Sequence, residues 1–458
     1  MRAIPHSRNT ATRRRNCGLA ALALALPGHA VAVQLDYAVG TGLMYTDNVN
    51  QDEFDPIEEN IFSTRVDFAL TENNRHLDLA IRGEAEHLNY LDNVYDDEVR
   101  GSLVANLDWT IRPDRLVFSV DEHMGYEPID FRSNNAPDNL QRINVFSAGP
   151  TLMGRLGEHT DGELELRYVK TDAEKTEDFN TDRYSVAARL LRDFDPTQRG
   201  GLNLEALQVD FDRPDLYSEY RRRDAFYSHD LALNRTALHL EAGYSWLDLE
   251  GYSATYDAPR LRATADFQMS PRSRLHVDLA YQFAEAAQDL VRRLSESDDP
   301  FDPTNPNDPI DPIDPGNPDG PTVGPSGAIT PDVYRERRVQ IGYSFVGERL
   351  TVDVNPYYSR NHYLNSPIDN RGDRGISLDL GYRLTPRTDL LVSAWASSRK
   401  YDSFPRKDKD LSASIGVSHR FTRHWNGQAE VRRLDRDSNA NGGSYVENVA
   451  FVSITYRR

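Results

Sequence analysis

From Leu35 to Tyr456 apolar and polar positions alternate with a period of two, not the 3.6 of a helix. In "RLHVDLAYQF", Leu275, Val277, Leu279, Tyr281 and Phe283 share one face, while Arg274, His276, Asp278 and Gln282 share the other. "APRLRATADFQM" sets Leu261, Ala263, Ala265, Phe267 and Met269 against Arg262, Thr264, Asp266 and Gln268. "GISLDLGYRL" repeats the arrangement with Ile376, Leu378, Leu380, Tyr382 and Leu384 against Ser377, Asp379 and Arg383. Successive side chains of a strand point to opposite faces, so each segment carries one oily face and one charged face.

A soluble β-sandwich also alternates, and three features separate this chain from one. The segments run to about ten residues or more, where globular strands centre on about five or six. They recur along the whole chain with almost no helical periodicity. The connections also come in two alternating kinds. Short links follow Leu70, Ile111, Asn234, Met269, Val346, Leu384 and Phe421. Between them lie longer polar links such as "TDNVNQDEFDPIEEN", "EPIDFRSNNAPDN", "TDAEKTEDFN" and "DRDSNANGGS". Sorting loops by length is a property of outer-membrane barrels, whose periplasmic turns are short and outer loops long.

The pattern therefore predicts an all-β fold: a single-chain transmembrane antiparallel β-barrel of about 18–20 strands, with short periplasmic turns and long extracellular loops. Lipid offers the backbone no hydrogen-bond partner, and a closed barrel gives every strand two neighbours. Tyr45, Trp109, Tyr168, Tyr244, Trp246, Tyr382 and Tyr456 near strand ends fit an interfacial girdle. The implied location is the Gram-negative outer membrane, with outer-membrane lipid and the barrel assembly machinery as partners.

The alternation breaks once, over residues 286–333, in "SESDDPFDPTNPNDPIDPIDPGNPDGPTVGPSG". Proline removes amide donors and apolar residues are scarce, so an acidic Pro/Asp-rich extracellular loop is expected. Asp308, Asp311 and Asp314 raise the question of calcium. Their Asp-Pro spacing lacks the central glycine and closing glutamate of a calcium loop, so neither metal nor cofactor is expected.

Residues 1–32 read as a signal peptide and 33–458 as the barrel. Arg13, Arg14 and Arg15 precede the apolar run "GLAALALALPG", and Ala30 and Ala32 precede the cleavage point. Cleavage removes Cys17, the only cysteine, together with Arg2, Arg8 and that triplet, and no carboxylate. The mature chain is then more acidic than the formal charge of −19. Such a surface excludes nucleic acid as a partner.

No catalytic constellation emerges. Ser228, His229 and Asp230 are adjacent, but strand neighbours face opposite ways and cannot form a relay. His123, His239, His276 and His419 lie on different strands, and there is neither a phosphate-binding glycine loop nor a Cys/His metal spacing. The chain is read as a non-enzyme. The inferred inner face mixes signs: Arg82, Glu84 and Glu86; Glu163, Glu165 and Arg167; Arg262 and Asp266; Asp379 and Arg383; Glu430 and Arg432. These are the candidate pore-lining residues.

"YTDNV" (Tyr45 to Val49) and "YLDNV" (Tyr90 to Val94) end two strands that run outward, so Tyr45, Asp47, Asn48, Tyr90, Asp92 and Asn93 should mark one rim. Tyrosine would anchor the interface and Asp-Asn start a turn; a rim that binds calcium or sugar hydroxyls is the functional alternative. With the leader, the first strand ending "GLMYTDNVNQ" and the whole-chain barrel, the sequence resembles the β-barrel porins found with exopolysaccharide and exosortase systems in Gram-negative bacteria. The resemblance implies a pore in polysaccharide export, with polysaccharide and periplasmic export components as partners, and carries no catalytic residues. One departure is the end "FVSITYRR", where Arg457 and Arg458 follow the aromatic Tyr456 that usually finishes such barrels. A general diffusion porin for small polar solutes and a surface-binding protein acting through its acidic loops are the other two functions compatible with the pattern.

Overall fold

The computed structural model describes residues 33–130, 132–213, 219–250, 254–285 and 332–458. Residues 1–32, read above as a signal peptide, and residues 286–331, within the expected acidic loop, lie outside these described residues.

Within the unit Gln34–Arg458, twenty strands form one sheet. In chain order they are β1 (Gln34–Thr46), β2 (Glu59–Asn73), β3 (Leu77–Tyr90), β4 (Glu98–Arg112), β5 (Leu116–Pro128), β6 (Leu140–Gly157) and β7 (Thr160–Ala173). Next come β8 (Thr181–Asp195), β9 (Gln198–Phe211), β10 (Tyr220–Leu233), β11 (Thr236–Leu249), β12 (Ala254–Ser270), β13 (Ser273–Ala284) and β14 (Tyr334–Val346). The last six are β15 (Leu350–Tyr363), β16 (Arg371–Thr385), β17 (Thr388–Tyr401), β18 (Lys407–Arg420), β19 (Trp425–Ser438) and β20 (Tyr445–Arg457). Each strand pairs antiparallel with its sequence neighbours, and β1 pairs with β20, so the sheet closes into a barrel without edges. Among the described residues no helix is long and apolar enough to cross a membrane; the strands do the crossing.

The seam uses the end of the chain. Val39 faces Tyr456 and Ala38 faces Arg457 across it. The Tyr37 and Arg458 backbones exchange two hydrogen bonds, 3.1 and 2.9 Å, so the two terminal arginines lengthen the closing ladder. Every turn that follows an even-numbered strand is short, and β-bulges sit beside several of them, at Thr110/Arg112, Arg155/Gly157, Asp193/Asp195, Gln268/Ser270 and Arg383/Thr385. A bulge adds local twist, which suits a strand bending into a tight turn at a barrel rim.

The register puts the oily face outside. Leu261, Ala263, Ala265, Phe267 and Met269 on β12 are flanked by Leu240 and Leu238 on β11 and by Leu279, Val277 and Leu275 on β13. Five alternate positions of a tilted strand span roughly 20–25 Å, the height of an outer-membrane apolar band. Leu204 is 62% exposed and Met269 59%, whereas Arg100 and Asp67 on the inner face are 1% exposed, the reverse of a soluble protein. Tyr45, Trp109, Tyr184, Tyr244, Trp246, Tyr358, Tyr382 and Trp425 stand exposed at the borders of the band.

The strands outlast that band. Above it the outer face turns charged, with Arg223 and Asp248, Arg337 and Arg360, and Lys409 and Asp437 at outward register positions. The expectation that charges keep to the inner face therefore holds only at band height. Glu122, opposite Ala105 and Phe146 and followed outward by Met124 opposite Leu103, is an exception on β5.

Candidate functional site

The candidate wall residues all alternate with outward apolar positions and so face the lumen. Arg82, Glu84 and Glu86 stand opposite Ala69, Asp67 and Arg65. Arg65 binds Asp67 at 2.7 Å and Glu84 at 2.5 Å. Glu165 lies 3.5 Å from Arg167 on its own strand, and Glu430 lies 2.9 Å from Arg432. Arg383 is 3.7 Å from Asp389, and Asp266 accepts from Arg274 at 2.6 Å and contacts His276 at 3.0 Å. Arg262 and Asp379 occupy inward positions opposite Glu241 and Asp353.

The most extended cluster includes residues that alternation alone does not single out. Arg189 on β8 bridges Glu165 (2.6 Å), Glu163 (3.8 Å) and Glu205 (4.0 Å). Arg260 on β12 then reaches Glu241 (3.0 Å), Glu205 (3.5 Å) and Asp224 (3.6 Å), and Arg222 holds Asp224 at 3.1 Å. Arg260 also covers the Phe226 ring, 4.0 Å from its centroid. His239 ends the chain with Asp230 at 2.6 Å on Nδ1 and Glu241 at 3.2 Å on Nε2. One network thus runs over β7 to β12 with each guanidinium between carboxylates. The wall presents many hydrogen-bonding groups, with cations interleaved among more numerous carboxylates.

A cavity of about 590 Å³ opens against this wall. Asp121, His123, Arg183, Glu205, Arg222 and Asp224 are among its lining, with no aromatic ring from Phe, Tyr or Trp. Glu285, which follows β13, reaches back into it and binds Arg183 at 2.6 Å and the Tyr220 hydroxyl. Parity could have flagged Arg189 and Arg260, since they alternate with apolar neighbours; Arg222 stands between Arg221 and Arg223, where alternation gives no contrast, and nothing in the sequence flags Glu285.

The outer mouth is crossed by the link between β5 and β6. Arg132 pairs with Asp369, between β15 and β16, which lie half the circumference away. Arg406 donates to the Arg132 carbonyl and Arg436 to the Ser133 carbonyl, the latter at 2.9 Å. Asn134 donates to the carbonyls of Asn50 (3.1 Å) and Gln51 (2.9 Å), and the Asn135 N–H donates to Gln51 Oε1. The segment is a strap anchored on two opposite sides of the rim.

The Tyr-x-Asp-Asn motifs form matching rim contacts. Asp47 accepts the backbone N–H and the side-chain amide of Asn448, both at 2.7 Å. Asp92 accepts the same two donors of Asn60, at 3.0 and 2.9 Å. Each asparagine follows a buried glutamate. Glu59 accepts the N–H groups of Asp92 and Val94, and Glu447 accepts from Thr46 and Gln51. Asn48 is buried and bonds the carbonyls of Asp52 and Val446; Asn93 takes a positive φ of 59°. The tyrosines differ. Tyr45 faces out toward Glu58, whereas Tyr90 faces in, 1% exposed, and bonds Glu98. No group of three or more metal-ligating side chains occurs among the described residues.

Asp52 and Asp332 are among the rim carboxyls that are shifted. Asp52 falls below the usual range because the N–H groups of Asp55 and Phe54 point at it. Burial pushes Asp332 up, against the N–H groups of Asn365 and Ser366 that hold its carboxylate.

A closed antiparallel barrel with an outward apolar band and a polar interior fits only one bilayer. The chain is a protein of the Gram-negative outer membrane. No family's sequence pattern matches it, and no curated protein does. Solved structures similar to it are outer-membrane proteins of low identity. The FrpB iron transporter from Neisseria meningitidis (F5-1 variant) is 8% identical, with a TM-score of 0.43 over 92% of this chain and 82% of that one. The siderophore receptor PirA from Pseudomonas aeruginosa is 10% identical, with a TM-score of 0.42 over 93% and 80%. The outer membrane protein opdK from Pseudomonas aeruginosa is 9% identical, with a TM-score of 0.36 over 93% and 99%.

Proposed function

We propose that this barrel is an outer-membrane pore that passes exopolysaccharide, a hydrated, hydroxyl-rich chain, and performs no covalent chemistry. The observation that supports it is the mixed-sign inner wall: Arg189 and Arg260 each stand among carboxylates, leaving oxygen and guanidinium groups to bond hydroxyls. A neutral or weakly charged polymer crosses such a surface without being held by any one site. Conduction needs binding weak and distributed enough to release. The resemblance carried by "GLMYTDNVNQ" points the same way. The expected partners are the polymer and periplasmic export components.

The strap over the mouth and the cavity of about 590 Å³ also favour a second reading, a general diffusion porin for small polar solutes. A clean deletion strain and its complemented counterpart separate the two. Loss of surface polymer with polymer retained in the periplasm supports export. Unchanged polymer in both places, under conditions where it is made, sinks the export reading and favours the porin.

A further inference from the structure

The outer collar is not evenly charged. On β14 to β18 it is basic, and the register lines its cations into rows. One row runs Arg337, Arg360, Gly372, Lys400 and Lys407, and the row nearer the band runs Val339, Tyr358, Arg374, Ser398 and Lys409. Two of these cross-strand neighbours are like-charged, Arg337 opposite Arg360 and Lys400 opposite Lys407. Directly opposed like charges destabilise a sheet. Two such pairs in one row, in a chain of net charge −19, call for an anion.

Among the described residues the carboxylates at hand are few. Asp402 pairs with Arg360 at 2.9 Å and Asp437 with Lys409 at 2.6 Å, while among the described residues no carboxylate forms an ion pair with Arg337, Arg374, Lys400 or Lys407. All six cations are exposed. Beneath them lie Ile376, Leu378, Ile415 and Leu411, exposed side chains of the apolar band. Cations directly above a lipid-facing band meet headgroups, and guanidinium groups bind phosphate oxygens in a bidentate fork. By contrast, β8 and β9 carry Asp182 opposite Asp210 at outward positions, so the acidic sector would repel what the basic one attracts.

We propose that the β14–β18 collar binds the phosphorylated headgroup of an outer-leaflet glycolipid, with Arg337, Arg360, Arg374, Lys400 and Lys407 facing the phosphates and the acyl chains lying on the band below. The site is independent of what the lumen carries. The purified barrel in zwitterionic detergent is titrated with bisphosphorylated lipid A, with the same lipid dephosphorylated, and with inorganic phosphate, and adducts are counted by native mass spectrometry. Bisphosphorylated lipid A should bind, and the combined variant Arg337→Gln, Arg360→Gln, Arg374→Gln, Lys400→Gln should bind it about tenfold more weakly or worse, since each phosphate contact is charge-assisted. The control Arg221→Gln, Arg223→Gln, whose partners Glu250 and Asp248 are close by, should bind as the wild type does. Heat-modifiable migration on gels checks that each barrel is closed; if the combined variant fails it, Lys400→Gln with Lys407→Gln replaces it. Equal binding of dephosphorylated lipid overturns the proposal, as does equal occupancy by inorganic phosphate alone, or an acidic polysaccharide that displaces the lipid.

Discussion

Asp47 clasps Asn448 as Asp92 clasps Asn60: in each pair one carboxylate takes both the backbone N–H and the side-chain amide of the asparagine. The first pair joins β1 to β20 across the closing seam and the second joins β3 to β2. The repeated motif is thus a rim fastener, set where strands leave the sheet.

Removing either side of the seam fastener should loosen closure modestly. Asp47→Ala and Asn448→Ala should each lower stability, and a double-mutant cycle in urea should return a coupling of about 1 kcal/mol, as for an exposed two-bond contact. Calcium or a chelator should leave the curves of wild type and variants unchanged, because the carboxylate oxygens already hold donors. A calcium-dependent shift would favour the ligand-binding reading of the rim.

The strap makes a prediction about conductance. Arg132→Ala with Asn134→Ala removes the pairing with Asp369 and both bonds to Asn50 and Gln51 while leaving the barrel ladder untouched. Single-channel recordings in planar bilayers should show higher conductance, more frequent opening, or both. If current through the variant matched the wild type, the strap would not be the constriction.

Much of the barrel is legible in the sequence because lipid imposes a strict rule on every second residue. The alternation of Leu261 to Met269 and the lengths of the loops carry strand direction, sidedness and which face is wet. They stop being informative above the band. There, Arg335, Arg337, Lys407 and Lys409 face outward and erase the contrast between faces, although the strands continue. Contacts between strands are not legible at all, since Arg260 reaches Glu205 three strands away only once the register is set. The same gap explains the tyrosines. Tyr45 and Tyr90 sit in the same motif, but β1 and β3 reach it in opposite phase, and a shift of one residue turns a side chain from lipid to lumen.

Asp332 gives a pH dependence. Burial raises its folded pKa above the unfolded value of about 3.9. The folded state therefore holds the proton more tightly. The resulting contribution to stability is fully present below the unfolded pKa and fades as pH rises through the folded one. At neutral pH the carboxylate is held by Asn365 and Ser366, at 2.9 and 2.7 Å, but still opposed by its burial. Asp332→Asn should flatten this part of the pH profile, measured by thermal melting between acidic and neutral buffer. An unchanged profile would show that Asp332 does not titrate differently on folding.

Arg260 is the residue on which the inner network turns, and its loss should affect stability and selectivity together. It is 9% exposed and lies among Glu241, Glu205 and Asp224, which it shares with His239, Arg189 and Arg222. Arg260→Met keeps the volume beside Phe226 but removes one of the cations those carboxylates share, so unfolding in urea should shift by about 2 kcal/mol toward instability. The space is tight for other repairs, because a Cβ on Gly243, the register partner of Arg260, would lie 2.2 Å from the Ala225 carbonyl. Arg260→Lys restores one charge but not the planar fork that reaches several carboxylates, and should recover only part of the loss. In a salt gradient the reversal potential of Arg260→Met should move toward cation selectivity, as freed carboxylates line the path. Instability without that shift would mean that the network braces the wall but does not border the conducting route.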